Sequence, residues 1–185
     1  IEWANGDVTT EWGKKRAEAG HPEPFNLKYL GLGNEEKITP EFEERFKYIY
    51  YKIREKHPEI IIVGTAGPGS HKGNPDYDTG WRIAEDIDLA ILDEHYYEPR
   101  DYFLNNQQNY DNYPRKRKTK VYLGEYAAKD KKMADALYEA LYLLGIERNG
   151  DVVVMTSYAP LLAKKGQTNW NPDLIYFDNT KVYPT

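Results

Sequence analysis

The sequence predicts an α/β fold of the (β/α)8 (TIM) barrel type. Apolar strand-like segments alternate along the chain with amphipathic helical segments, which favours βα units and a parallel sheet. Polar side chains follow the carboxyl ends of four successive strands, and this is typical of a barrel, whose active site lies at that mouth. The polar residues at these ends are Asn34 and Glu35, His95 and Tyr97, Glu125 and Tyr126, and Ser157 and Tyr158.

Composition is that of a folded domain with no basic surface. The chain has 185 residues, of which 40% are hydrophobic and 30% charged, and its net charge is −5. We therefore expect neither nucleic acid nor an anionic membrane as a partner. The sequence contains no run of about 18 apolar residues, so it predicts no transmembrane helix. The absence of cysteine excludes disulfides and thiolate metal sites. The chain begins at Ile1, so we interpret it as a piece of a longer protein.

Apolar and β-branched runs predict the strands. They cover residues 27–33, 60–67, 87–97, 120–127 and 151–160, with a less regular candidate at 173–179. The run at 60–67 is continuous, as expected of a strand buried on both faces. Residues 1–7 resemble the end of a strand entering a turn.

Two long helices are predicted between these strands. The first begins with Thr39 as N-cap and Pro40 at the first helical position, and it ends at His57-Pro58. The second covers 131–149, and residues 81–87 predict a short helix. Helical spacing predicts that each long helix buries one apolar face: Phe42, Phe46, Ile49, Tyr50 and Ile53 on the first, and Met133, Leu137, Ala140, Leu141 and Leu144 on the second.

The remaining segments predict loops. Residues 67–80 are rich in Gly, Pro, Asn and Asp. The tyrosine-rich segment 98–117 indicates a long functional loop with some helix. The stretch GTAGPGS at 64–70 is the one candidate for a phosphate-binding turn, but it lacks both the GxGxxG spacing and a GK[ST] end. We therefore interpret it as a loop.

Two carboxylates suggest the chemistry. Glu35 and Glu125 each follow a short apolar strand and a nearby glycine. On a barrel mouth, two such groups can flank a glycosidic bond, and a retaining glycosidase holds its two carboxyl groups about 5–5.5 Å apart. Taken singly, a Glu at a strand end is more often a helix N-cap neighbour or a surface salt-bridge partner, and a lone histidine such as His95 is by default a core residue. The residues alone leave these alternatives open.

Longer motifs resemble a known family. The stretches WGKKRAEAGHPEPFNLKYLGLGNE (12–35), DEHYY (93–97), NYDNYPR (109–115), VYLGEYA (121–127) and GIERNGDVVVMTSYAPLLA (145–163) are similar to the α-L-arabinofuranosidases of glycoside hydrolase family 51. The motifs occur in the family's order along nearly the whole chain. NWNPDLIYFDN (169–179) fits the same family.

The resemblance implies a retaining hydrolase that releases terminal α-L-arabinofuranosyl residues from arabinose-containing glycans in hemicellulose. By motif, Glu35 would be the acid/base and Glu125 the nucleophile. Asn34 would bind the sugar 2-hydroxyl, Tyr97 (or Tyr96) would hydrogen-bond the nucleophile, and His95 would lie beside it in the substrate pocket. No metal or cofactor is implied, and the four histidines show no ligand spacing.

The resemblance also implies an incomplete molecule. Residues 1–185 would form one partial catalytic barrel, from about strand 3 or 4 to strand 8. The family's N-terminal strands and its C-terminal β-sandwich domain would be absent, so we expect this piece to be inactive by itself. Two alternatives stay open: a clan-related glycosidase acting on xylosides or glucans, and a non-catalytic carbohydrate-binding fragment. A homo-oligomer and a cytoplasmic, periplasmic or secreted location also stay open.

Overall fold

The computed structural model describes residues 1–69, 71–130, 132–170 and 173–184. Its centre is a five-stranded, wholly parallel sheet in the order β1-β2-β3-β4-β5. The strands are β1 (Tyr29–Gly31), β2 (Ile61–Thr65), β3 (Ile91–Glu98), β4 (Lys120–Ala128) and β5 (Val153–Thr156). A smaller sheet contains β6 (Leu162–Lys164), β7 (Ile175–Phe177) and β8 (Val182–Pro184), with β6 parallel and β8 antiparallel to β7.

Helices connect the parallel strands as the sequence predicts. They are α1 (Glu2–Asn5), α2 (Glu11–Glu18), α3 (Pro40–Lys56), α4 (Pro75–Asp86), α5 (Arg100–Asn105) and α6 (Met133–Arg148), with a 3₁₀ turn at Asn109–Asn112. Strand order follows chain order, so successive βα units form a half-barrel with its carboxyl ends on one rim. Among the described residues, no helix combines the length and the apolar character needed to cross a membrane.

Helix α3 begins and ends where the sequence predicts. The Thr39 hydroxyl accepts a hydrogen bond from the Phe42 amide at 3.2 Å, and the helix ends before His57. Its predicted apolar face is largely right, because Phe46 and Tyr50 are buried and Phe42 and Ile53 are half-buried. Ile49 is the exception, since it is exposed to solvent.

The predicted loop at 67–80 is only partly a loop. Asn74 caps α4 by accepting a hydrogen bond from the Asp76 amide at 3.0 Å, and Pro75 occupies the first helical turn. The helix then continues through the predicted 81–87 segment to Asp86. Composition predicted a loop because the same residue types that form turns also begin helices.

The N-terminal prediction of a strand end was wrong. Residues 2–5 form α1, and a buried guanidinium closes the segment around it. Arg16 donates hydrogen bonds of 2.8–3.0 Å to four backbone carbonyls, those of Trp3, Gly6, His21 and Pro22. The buried Arg16 side chain thus supplies hydrogen-bond donors to four backbone carbonyls in the turns of this segment.

The predicted buried face of α6 was also wrong. Met133, Leu137 and Leu144 are 80, 62 and 59% exposed, whereas the buried residues are Asp135, Glu139, Tyr142, Gly145 and Ile146. The Glu139 carboxylate accepts a hydrogen bond of 2.5 Å from the backbone amide of Ala128, at the end of β4. Asp135, on the same face, accepts a hydrogen bond of 2.9 Å from the Lys132 backbone amide. The helix therefore buries two carboxylates that accept backbone amides, and its apolar stripe lies outward.

Candidate active site

The carboxyl ends of β1, β3 and β4 bring together Glu35, His95 and Glu125. One carboxylate oxygen from each glutamate and one His95 ring nitrogen all lie within 4.8 Å of one another. The side chains of Glu35 and Glu125 are 42% and 33% exposed, so both can meet a ligand from solvent. The two acids that the sequence singles out therefore lie on one rim, with an oxygen of one within 4.8 Å of an oxygen of the other.

A bulge in β4 aligns Glu125 with His95. The register runs from the pair Glu94–Leu123 to the pair His95–Glu125, so Gly124 has no partner on β3. The Gly124 amide instead donates a hydrogen bond of 2.9 Å to the Asp93 carboxylate. A Cβ atom on residue 124 would overlap that carboxylate, which explains the glycine before Glu125.

His95 lies in the middle of three carboxylates. Its Nδ1 is 2.7 Å from Glu35 Oε1 and 3.7 Å from Glu125 Oε2, and its Nε2 is 3.2 Å from Asp93 Oδ2. Burial opposes the charged form, but hydrogen bonds to Asp93 and Glu35, with the charges of Asp93 and Glu125, raise the His95 pKa to about 9. His95 is thus an imidazolium at neutral pH, and both ring nitrogens donate.

Tyr97, rather than Tyr96, contacts Glu125. The Tyr97 hydroxyl donates a hydrogen bond of 2.7 Å to Glu125 Oε2. Burial, together with this hydrogen bond and the nearby carboxylates, raises the pKa of Tyr97, so the phenol keeps its proton. The Tyr96 hydroxyl lies on the other face of β3 and donates to Glu94 at 3.0 Å.

Asn34 lies on the rim beside Glu35, with an exposed side chain. Gly33, at φ +90°, turns the chain after β1 into this position. The backbone carbonyl of Asn34 accepts a hydrogen bond from the Thr65 hydroxyl, and the backbone amide of Asn34 donates to the Glu36 carboxylate at 2.6 Å. Glu36 therefore closes the turn that presents Asn34 and Glu35.

Sequence reasoning missed Asp93 and Glu94. Asp93 shares the inner face of β3 with His95 and Tyr97, a signal available from period-two alternation. Glu94 faces outward and is fully buried. It accepts five hydrogen bonds of 2.8–3.1 Å, from Tyr77, Trp81, Tyr96, Tyr110 and Tyr113. Desolvation raises the pKa of Glu94 despite these donors.

Glu35, His95 and Glu125 are also the residues that could hold a cation. Among the described residues, they are the one set of three side chains with donor atoms close enough for this. An imidazolium held between carboxylates already supplies positive charge there, and a metal would have to displace its proton. The expectation that no metal is needed stays a prediction.

A parallel half-barrel with two carboxylates on its carboxyl rim is typical of barrel glycoside hydrolases. Two family models match the chain: the α-L-arabinofuranosidase 1 domain over residues 1–115 and the α-L-arabinofuranosidase C-terminal domain over residues 110–185. The chain therefore belongs to the α-L-arabinofuranosidases of glycoside hydrolase family 51, as its motifs indicate.

Individual relatives agree with this assignment. An extracellular exo-α-L-arabinofuranosidase of Streptomyces chartreusis is 44% identical over 97% of this chain and 21% of its own length. Alpha-L-arabinofuranosidase 2 of Arabidopsis thaliana is 36% identical over the whole chain and 26% of its own length. The chain thus spans about a fifth to a quarter of these two curated relatives.

Solved structures confirm the fold class. The arabinose-bound α-L-arabinofuranosidase MgGH51 superposes with a TM-score of 0.79 at 30% identity, over all of this chain and 30% of that one. An arabinose complex of the Thermotoga maritima α-L-arabinofuranosidase gives 0.71 at 19% identity, over 98% and 42% of the respective chains, which supports the fold alone. The prediction of a partial (β/α)8 barrel is therefore confirmed.

Proposed function

We propose that this chain supplies the catalytic pair of a retaining α-L-arabinofuranosidase, which releases terminal arabinofuranosyl residues from arabinose-containing glycans. The observation that carries the proposal is the approach of Glu35 and Glu125, whose nearest carboxylate oxygens lie within 4.8 Å. An inverting enzyme needs a wider gap of about 6.5–9.5 Å to admit water between acid and base. The close pair favours double displacement.

In the first step, Glu125 attacks the anomeric carbon and forms a glycosyl ester, while Glu35 gives its proton to the departing glycosidic oxygen. In the second step, Glu35 takes a proton from water as the water oxygen attacks the same carbon. The ester bond breaks, arabinose leaves, and both carboxyl groups return to their starting states.

Three neighbours would support this cycle. The Tyr97 hydroxyl, 2.7 Å from Glu125, stabilises the nucleophile as a carboxylate. The His95 imidazolium borders the substrate pocket and faces both glutamates: it offsets the negative charge of Glu125, and that of Glu35 once Glu35 has given up its proton. Asn34, exposed on the rim beside Glu35, is the candidate partner of the sugar 2-hydroxyl, a contact that strengthens in the transition state.

We further propose that residues 1–185 are one part of the catalytic barrel in a longer enzyme. Five parallel strands supply little more than half of an eight-stranded barrel. The remaining strands and a β-sandwich domain would be supplied by the rest of that enzyme. The catalytic assay therefore belongs to the complete barrel that contains this chain.

The test is Glu125→Ala in the complete barrel, assayed with an aryl α-L-arabinofuranoside. We expect turnover to fall by at least about 10⁴-fold, since no covalent intermediate can form, and added azide to restore it as the glycosyl azide. Glu59→Ala, an exposed glutamate just before β2 at the amino end of the strands, is the matched control. Undiminished hydrolysis by Glu125→Ala would contradict the assignment.

A further inference from the structure

A second cavity lies on the opposite face of β3 from Glu35 and Glu125. It has a volume of about 820 Å³ and opens between α4 and the tyrosine-rich segment 100–117. This is within the range of small-molecule sites, about 300–1,000 Å³. None of the roles proposed for the catalytic pair uses it.

The aromatic wall of this cavity is held in place from behind. Four of its lining residues donate hydrogen bonds of 2.8–3.0 Å to the buried Glu94 carboxylate: Tyr77, Trp81, Tyr96 and Tyr113. A wall fixed in this way needs little ordering when a ligand binds, which lowers the entropic cost. Tyr113 and Tyr102, which also lines the cavity, are only half-buried, so part of each ring remains accessible.

The opposite side of the cavity carries amides with open hydrogen-bonding capacity. Asn105, Gln108 and Asn112 line it and are exposed. Within the described part of the chain, their side chains make no hydrogen bond to another residue. Each amide offers two donor hydrogens and an acceptor oxygen, a set that matches hydroxyl groups, which both donate and accept.

The charges around the cavity do not select an ion. Arg117 pairs with Glu85 at 2.8 Å, and Arg82 pairs with Glu43 at 2.5 Å. Among the described lining residues, Lys72 is the one lysine or arginine with no carboxylate within 4 Å. A phosphate or carboxylate ligand would be met by clustered unpaired cations, and a neutral ligand needs none.

We propose that this cavity binds a neutral oligosaccharide, as a glycan-binding site separate from the catalytic pair. Aromatic rings pack against the apolar faces of sugars, and the amides take the hydroxyl groups. The more specific expectation that this oligosaccharide is made of arabinose, a pentose, rests on the proposed function. Strand β3 contributes to both sites, with His95 and Tyr97 on the face of the catalytic pair and Tyr96 on the face of the cavity.

Calorimetric titration of linear arabinotetraose into the 185-residue chain carrying Glu125→Ala tests this site. Because Asn105→Ala/Asn112→Ala removes two hydrogen-bonding amides of the cavity, we expect it to lower the affinity at least about tenfold. Asn179→Ala, an exposed asparagine far along the chain, is the matched control and should bind as the parent does. Gln108→Ala, with a loss of a few-fold, is a second variant should the double variant lower the Tm.

Binding that is unchanged in both Asn105→Ala/Asn112→Ala and Gln108→Ala, or no binding by the parent at millimolar sugar, overturns the proposal. Tighter binding of tetragalacturonate than of arabinotetraose also overturns it, because the site would then select an anion. Aryl arabinofuranoside hydrolysis by the complete barrel reports on the catalytic pair alone. Cavity-dependent binding without such hydrolysis would refute the proposed function and leave this site standing.

Discussion

The charge on His95 makes the stability of this fold depend on pH. Its pKa is raised from 6.5 to about 9, because hydrogen bonds to Asp93 and Glu35 and nearby negative charge outweigh burial. Each pKa unit corresponds to 1.36 kcal/mol, so the imidazolium contributes about 3 kcal/mol to the free energy of unfolding. The raised pKa belongs to the folded state. The contribution is therefore complete below pH 6.5, declines as pH rises, and is lost above about pH 9.

Two measurements on the chain check this. NMR titration of the His95 ring, assigned by its loss in His95→Gln, should give a midpoint near pH 9. Urea unfolding at about pH 6 and pH 9.5 should show the unfolding free energy of the parent falling by about 3 kcal/mol more than that of His95→Gln. The comparison with His95→Gln removes the contributions of other titrating groups.

Asp93→Asn measures how much the Asp93 carboxylate contributes to the raised pKa of His95. It keeps the shape of the side chain and removes one of the two carboxylates bonded to the ring. We expect the His95 pKa to fall by at least about one unit, with a matching decrease of about 1.4 kcal/mol in the pH-dependent term. His57→Gln, a half-buried histidine at the end of α3, is the control. A His95 midpoint at or below 6.5 in the parent would refute the reasoning.

Two further substitutions test the two faces of β3. Tyr97→Phe removes the hydrogen bond to Glu125, so kcat/KM of the complete barrel for an aryl arabinofuranoside should fall about 10- to 100-fold, as expected for 1.5–3 kcal/mol; an unchanged value would contradict this role. Glu94→Ala leaves five donors, four of them on buried side chains, without their acceptor and should cost about 3–5 kcal/mol in urea unfolding. Glu94→Gln, which keeps one acceptor oxygen, should cost less. A loss below about 1 kcal/mol for Glu94→Ala would show that water or rearranged phenols replace the carboxylate.

Local signals were sufficient for much of the fold. The cap at Thr39, the proline after it and the His57-Pro58 stop fixed both ends of α3, because each acts through the backbone of its own turn. The β-branched run at 60–67 predicted β2 for a similar reason. The positions of Glu35 and Glu125 at strand ends were enough to predict that they meet on one rim, since parallel strands share that rim.

Other features depend on partners distant in the chain. The burial of α6 was predicted on the wrong side because hydrophobic periodicity does not register that Glu139 accepts the Ala128 amide. Asp93 and Glu94 look alike in sequence as adjacent acids. Because side chains alternate between the two faces of a strand, Asp93 faces His95, whereas Glu94 faces the buried tyrosines and accepts their hydrogen bonds. Only the fold reveals which donors each carboxylate meets.

Strand β3 links the candidate site to its support through this alternation. Asp93, His95 and Tyr97 extend from one face, and each has a contact that bears directly on the rim. Glu94 and Tyr96 extend from the other face and are bonded to each other within the aromatic cluster. Because all five share one backbone, the buried cluster resists movement of the strand that would separate His95 from Glu35. The rim is open to solvent, yet donor atoms of Glu35, His95 and Glu125 lie within 4.8 Å of one another. We attribute this close placement to the buried hydrogen bonds of Glu94 and Tyr96, which hold the strand from its other face.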